Sequence, residues 1–247
     1  MRTLKIVLQY DGTAYAGWQR QANGVSIQAM VEDALAPIEG SRVVVHGAGR
    51  TDAGVHALGQ VATVTLAVAI EPPALARALN ALLPPDVRVL AVEDAAPGFH
   101  ARFSATGKAY EYRIINAPLV SPFHHNYVWH VIQPIDLKLV REASARLVGT
   151  HDFAAFQGAR ARVVSTKRTV SRIEWEDGGG YDLPLVMRIE GDGFLRYMVR
   201  NIVGTLVDVG VGRRPPSHVA EILASRDRTQ AGPTAPAQGL YLVRVNY

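Results

Sequence analysis

Cysteine is absent from all 247 residues of this chain, which removes disulfides, thiol nucleophiles, iron–sulfur ligation and every cysteine-based zinc site. No stretch reaches the roughly 18 uninterrupted apolar residues of a membrane span. The start, MRTLKIVLQYDG, lacks the charged, then apolar, then small order of a signal peptide. Together these predict a cytoplasmic protein that does not enter a membrane. Also missing are G-x-S-x-G, the P-loop, G-x-G-x-x-G after a strand, and H-E-x-x-H. The histidines are scattered apart from His124 and His125, and neighbours on a strand point in divergent directions, so no metal is assigned. Chemistry is left to oxygen and nitrogen groups.

What the chain does have is the composition of a globular protein, 48% hydrophobic and 19% charged, with length for one large domain or two of roughly 100 to 150 residues. Its net charge of +4 is unevenly spread. Residues 1–105 hold 8 Lys and Arg against 9 Asp and Glu, net −1, and residues 106–247 hold 18 against 13, net +5. The excess is densest in GARARVVSTKRTVSR, residues 158–172, where Arg160, Arg162, Lys167, Arg168 and Arg172 occur without an acid. On charge alone this is equally a solvated loop or a track for phosphates.

Hydrophobic periodicity gives a strand over 3–10 and a helix in SIQAMVEDALAPI with Ser26 as N-cap and Gly40 past its end. Strands follow at RVVVH and QVATVTLAV, then a helix over 72–83 opened by Pro72 and Pro73, and a strand at VRVLAVE. That order, β-α-β-β-α-β, is the ferredoxin-like pattern. The second half repeats it: strand KAYEYRIIN, helix DLKLVREASARLVG, strands RTVSRIEWE and PLVMRIEG around the turn at 178–180, a long helix over 194–210, a short one near 217–225 and a final strand LYLVRV. The predicted fold is α+β, two ferredoxin-like halves (1–105, and 106–247 with a basic insertion). They form an extended, mostly antiparallel sheet with helices on one side and a cleft between the halves.

Within AGRTDAGVHALGQ, residues 48–60, Arg50 and Asp52 sit among glycines where the backbone can turn sharply or approach a ligand. In an extended segment the two project to the same side. Spacing alone is compatible with a turn closed by the Asp side chain, with Arg50 as a surface ion pair.

DGTAYAGWQRQ (11–21), GRTDAGVHALGQV (49–61), FHARFSATGKAYEY (99–112), MVRNIVGTLVDVG (198–210) and TAPAQGLYLVRVNY (234–247) together resemble the successive blocks of the TruA family of tRNA pseudouridine synthases. They run in the family's order and span nearly the whole chain. The resemblance implies an isomerase that converts uridine to pseudouridine at positions 38–40 of the tRNA anticodon stem-loop, without a cofactor and as a homodimer. It makes Asp52 the catalytic carboxylate, Arg200 its ion-pair partner, and Tyr110, in the block with Lys108 and Tyr112, the residue that packs on the target base. Arg50 falls on an arginine implicated in RNA binding and base flipping. In this context Arg102, Lys108, Arg160, Arg162, Lys167 and Arg168 become substrate-binding candidates.

The chemistry fits the residue inventory. The N1–sugar bond breaks, the uracil turns and C5 joins the same carbon, so nothing is oxidised or transferred. One ionised carboxylate can attack the sugar, add to the ring or take the 2′ proton. It needs shielding from water, and a guanidinium keeps a shielded carboxylate charged. Local patterns are less specific. Arg200 lies roughly 140° from the stripe of Leu195, Met198, Val199, Ile202 and Leu206, which reads as a solvent-facing position. Tyr110 and Tyr112 suit sheet packing as well as base stacking. Arg102 and Phe103 suit the substrate side or interdomain packing equally. Two other classes compete: an RNA-binding module without relevant catalysis, and a nucleoside glycosidase, for which the usual second carboxylate is missing from the Asp52 block.

Overall fold

Alternation in the first strand, β1 (Arg2–Tyr10), buries Leu4, Ile6 and Leu8 completely, each burial worth about 1.5–3 kcal/mol. The computed structural model to which β1 belongs describes residues 1–159 and 163–247. Among these residues it has ten strands and five helices, and most strand pairs are antiparallel. None of the helices is long and apolar enough to cross a membrane. The chain divides into two compact units, 1–106 with 241–247, and 107–240.

In the first unit β1 is followed by α1 (Ile27–Glu39), β2 (His46–Gly47), β3 (His56–Leu66), α2 (Pro72–Leu82) and β4 (Val87–Asp94), the predicted order. Ser26 caps α1 by accepting from the Ala29 amide, and Gly40 ends it in the left-handed region at φ 76°. β1 lies between β3 and β4, antiparallel to both, with Ile6 opposite Ala62 and Val92. β2 pairs antiparallel with β3 at Thr63 and Ala62.

The strand expected at RVVVH is mostly absent: only His46 and the following Gly47 pair. Val43 and Val45 are buried with Val44 exposed, so the alternation is real. The backbone of Val45 is instead claimed by α1, its amide donating to Glu32 Oε1 (3.0 Å) and its carbonyl accepting from Gln28 Nε2 (3.0 Å). Side chains have taken the place of a ladder.

The second unit holds β5 (Gly107–Asn116), β6 (Trp129–Val131), α3 (Leu137–Ala145), β7 (Gly149–Asp152), β8 (Lys167–Glu176), β9 (Leu185–Gly191), α4 (Met198–Gly210) and α5 (His218–Ser225). Its strands run β5-β9-β8-β7, with β6 parallel on β5. β6 and β7 were not expected. The helix predicted to reach 149 stops at Ala145, and Gly149, at φ 114°, opens β7. The helix predicted from 194 begins at Met198, because Tyr197 has φ 62°, which cannot continue a right-handed helix. The last strand, β10 (Leu240–Asn246), pairs in parallel with β3 at His56 and Ala57.

Candidate active site

The loop between β2 and β3 carries Arg50, which is exposed, and Asp52, which is half-buried. Its turn is closed by backbone, the Val55 amide donating to the Asp52 carbonyl (3.1 Å). The loop is braced from below by DGTAYAGWQRQ. The Trp18 amide donates to the Thr51 carbonyl (3.1 Å) and the Gly54 amide to the Tyr15 carbonyl (3.3 Å). Gln60, fully buried, donates to the Gly49 carbonyl (2.9 Å) and to the Tyr10 hydroxyl (3.4 Å). The Tyr10 hydroxyl is also hydrogen-bonded to Thr51 Oγ1 (2.9 Å). Burial pushes the Tyr10 phenol up to about 12, so it stays protonated in this relay.

Gly17 is what lets the two segments meet. At φ +94° it occupies backbone space that side chains avoid, and a Cβ there would stand 2.5 Å from the Thr51 carbonyl oxygen and 2.9 Å from Asp52 C. Gly17→Ala is expected to cost about 2–3 kcal/mol and to lower the midpoint of thermal unfolding by roughly 5–10 °C. An unchanged melting curve would show that the loop yields.

In the second unit Tyr110 sits on β5 opposite Ile189 of β9 and is 9% exposed, with Phe194 edge-on at 5.2 Å and 81°. Tyr112 is the packing member of the pair. It is fully buried and its hydroxyl donates to the Pro236 carbonyl (2.7 Å). Burial raises it well above the usual phenol value, against the lowering influence of Arg200. Lys108, two residues before Tyr110, is half-buried opposite Gly191.

Arg200 corrects the helical-wheel reading. Every other residue of α4 is buried, so the helix has no solvent face for Arg200 to occupy. Its Nε donates to the Ala235 carbonyl (2.7 Å), the Ala235 amide returns a bond to the Arg200 carbonyl (3.1 Å), and the guanidinium lies 5.1 Å from the centroid of the Tyr197 ring. The result is a half-buried cation with a fixed direction.

The family model for tRNA pseudouridine synthases matches residues 6–104 and 143–247. The chain belongs to this family. It is 47% identical to a tRNA pseudouridine synthase A of Myxococcus xanthus over all of this chain and 92% of the relative. It is also 47% identical to one of Geobacter sulfurreducens and 44% identical to one of Thermoanaerobacter sp. (strain X514), over the full length of both partners. As a tRNA pseudouridine synthase it is an intramolecular isomerase of the TruA type. Arg50, Asp52, Arg102 and Arg200 lie in the matched spans, and Lys108 and Tyr110 between them.

The basic stretch of this family member is only partly a loop. Arg160 and Arg162 lie outside the described residues. Lys167, exposed, opens β8 opposite Asp152, and Arg168 turns its Nη1 back to the Ser165 carbonyl (2.9 Å). Asp152 accepts from Thr166 Oγ1 (2.6 Å) and the Ala154 amide (3.1 Å) and pairs with Arg226 (3.1 Å). The Thr166 bond leads the causes that hold its carboxyl below the ordinary value, which anchors the end of the stretch. Arg102 is exposed, its guanidinium 5.6 Å from the Phe103 ring centroid.

Among the described residues no group of three or more His, Asp or Glu could share a metal ion. Sequence reasoning gave no role to Tyr10, Gly17, Thr51, Gln60, Phe194, Tyr197 or Ala235. Most fall in or beside the quoted blocks, but nothing in their spacing shows which loop or side chain each one holds.

Proposed function

We propose that the chain isomerises uridine to pseudouridine at position 38, 39 or 40 of the tRNA anticodon stem-loop, with Asp52 as the acting carboxylate. The observation that carries the reading is the loop of Asp52: its backbone is held by Trp18, Tyr15 and Gln60 and its side chain is half-buried, in a chain related end to end to tRNA pseudouridine synthases. In this reading Asp52, Tyr110 and Arg200 serve one uridine. Arg200 favours the charged carboxylate, and the Tyr110 ring packs on the uracil. The N1–C1′ bond breaks, the base turns, C5 bonds to C1′, the C5 proton leaves to solvent and N1 takes a proton. Restricted water access protects the opened sugar from hydrolysis. The reaction needs no cofactor.

The same proposal includes the finer architecture, two ferredoxin-like halves, and a cytoplasmic homodimer that binds the anticodon stem-loop. Arg50, Arg102, Lys108, Lys167 and Arg168, with Arg160 and Arg162, supply cations for the phosphates. Lys167→Ala with Arg168→Ala is expected to weaken tRNA binding and lower the slope of log Kd against log salt by about two. A filter-binding titration over several salt concentrations checks this, and an unchanged slope removes both residues from the interface.

The direct test is release of tritium to water from tRNA labelled at uridine C5, without added metal or nucleotide. Release supports isomerisation. Bound tRNA with no release would instead favour an RNA-binding module.

A further inference from the structure

Phe103 is 77% exposed, yet the turn that carries it is firmly held. The Ala101 amide donates to Thr63 Oγ1 (3.1 Å), and the Tyr247 hydroxyl donates to the Ala101 carbonyl (2.9 Å). Phe99 packs on Tyr247 at 4.8 Å, and Ser104 closes the turn by bonds to both the amide and the carbonyl of His100. His100 Nδ1 accepts from the amides of Arg102 (3.1 Å) and Phe103 (3.4 Å), which leaves the ring proton on Nε2. A mobile tip would let an apolar ring tuck away. This one is presented.

Its company is aromatic and cationic. The rings of Phe103 and His100 are 4.5 Å apart, those of His100 and His46 5.1 Å apart, and the Arg102 guanidinium is 5.6 Å from the Phe103 centroid. The two segments that build the cluster, 41–51 and 95–106, contain Arg42, Arg50 and Arg102 and no acid. A rigid exposed ring beside a guanidinium matches the chemistry of an unpaired base with its phosphate.

The cluster is also remote from the catalytic carboxylate. From His46, opposite Thr63, the chain runs antiparallel to β3 through Ala48, bonded to Val61, and Gly49, bonded to Gln60, and reaches Asp52 beside Val55. Along β3 the seven steps from Thr63 to His56 span about 20 Å, more than one base can bridge. Exposed Arg50 lies on the path between.

We infer that Phe103, with Arg102, His100 and His46, is a second stacking platform that takes an unpaired base of the RNA other than the uridine being isomerised. The inference rests on the proposed tRNA reading, because it places the same RNA along one unit.

The test uses Phe103→Ala and Phe103→Trp in the full chain, with a tRNA transcript and a perfectly paired RNA duplex as probes, read by binding and fluorescence without turnover. Phe103→Ala should weaken transcript binding roughly tenfold while Phe103→Trp keeps it within about twofold, and transcript but not duplex should quench the new Trp. Should Phe103→Ala fail to fold, the quenching of Phe103→Trp decides alone. Unchanged binding by a folded Phe103→Ala, or no quenching, overturns the platform. So does Trp emission that responds to protein concentration instead of RNA, with a fall in sedimenting mass for Phe103→Ala; that result assigns the ring to a contact between two copies. Tritium release by the wild type is scored separately, so the platform and the isomerase reading can fail independently.

Discussion

Asp52→Asn is expected to abolish tritium release from C5-labelled tRNA while leaving tRNA affinity within about twofold of wild type. The substitution is nearly isosteric and spares the backbone that shapes the loop: the bonds from Val55 to the residue 52 carbonyl and from Trp18 to the Thr51 carbonyl do not involve the side chain. What it removes is the negative oxygen. Each route to pseudouridine open to this site needs that charge, as a nucleophile or as a base, and an amide supplies neither. The loss should therefore be about a thousandfold or more, the scale seen when a group in contact with the reacting atoms is deleted. RNA binding draws mainly on phosphate contacts, and removing one carboxylate leaves those cations in place. A large loss of affinity in a gel-shift control would mean that Asp52 serves architecture.

Gly204→Ala should be among the most damaging small substitutions in the chain. Gly to Ala inside a helix ordinarily stabilises by about 1 kcal/mol, so the expected sign is reversed. A Cβ at 204 would stand 1.7 Å from the Pro233 carbonyl oxygen and 2.9 Å from its carbon, and backbone cannot rotate out of the way. Segment 232–235 would have to lift off α4. With it would go the bonds of the Gly232 amide to Thr205 Oγ1 (2.9 Å), of Thr234 Oγ1 to Asn201 Oδ1 (2.6 Å) and of Arg200 to Ala235 (2.7 Å). Overpacking and the lost bonds together give about 3 kcal/mol or more. Urea unfolding followed by circular dichroism measures it. The second consequence is chemical. Arg200 loses the carbonyl that orients it, so any Gly204→Ala that stays folded should show a reduced rate of tritium release. Wild-type stability together with a wild-type rate would refute the clamp.

Much of the first unit was legible from pattern. Period-two alternation located β1 and β4, and Ser26 and Gly40 marked the ends of α1 because capping is local chemistry. RVVVH misled because alternation reports which side chains are buried and is silent on what its amides bond to. Here the Val45 amide donates to Glu32 and the Val45 carbonyl accepts from Gln28. The wheel drawn for Arg200 failed for a related reason. It assumes one buried face, whereas α4 is buried all round and holds its polar residues by specific bonds such as Asn201 Nδ2 to the Phe156 carbonyl (2.8 Å). The start of that helix was hidden because a positive φ at a tyrosine has no local signature.

Taken alone, the sequence determined the class of chemistry, since it has no thiol and its five ordered blocks carry the resemblance to an isomerase family, and that resemblance offers Asp52, Tyr110 and Arg200 as site candidates. It also determined the helix caps and most strands, which depend on neighbours within a few residues. Only the tertiary structure decided that the 11–21 block is the brace under Asp52, that Tyr112 is tied to Pro236 while Tyr110 meets Phe194, and that β10, from the end of the chain, pairs with β3. These are contacts between residues far apart in the chain. They follow from which surfaces can close on one another without overlap or unpaired polar groups, a condition that no local pattern states.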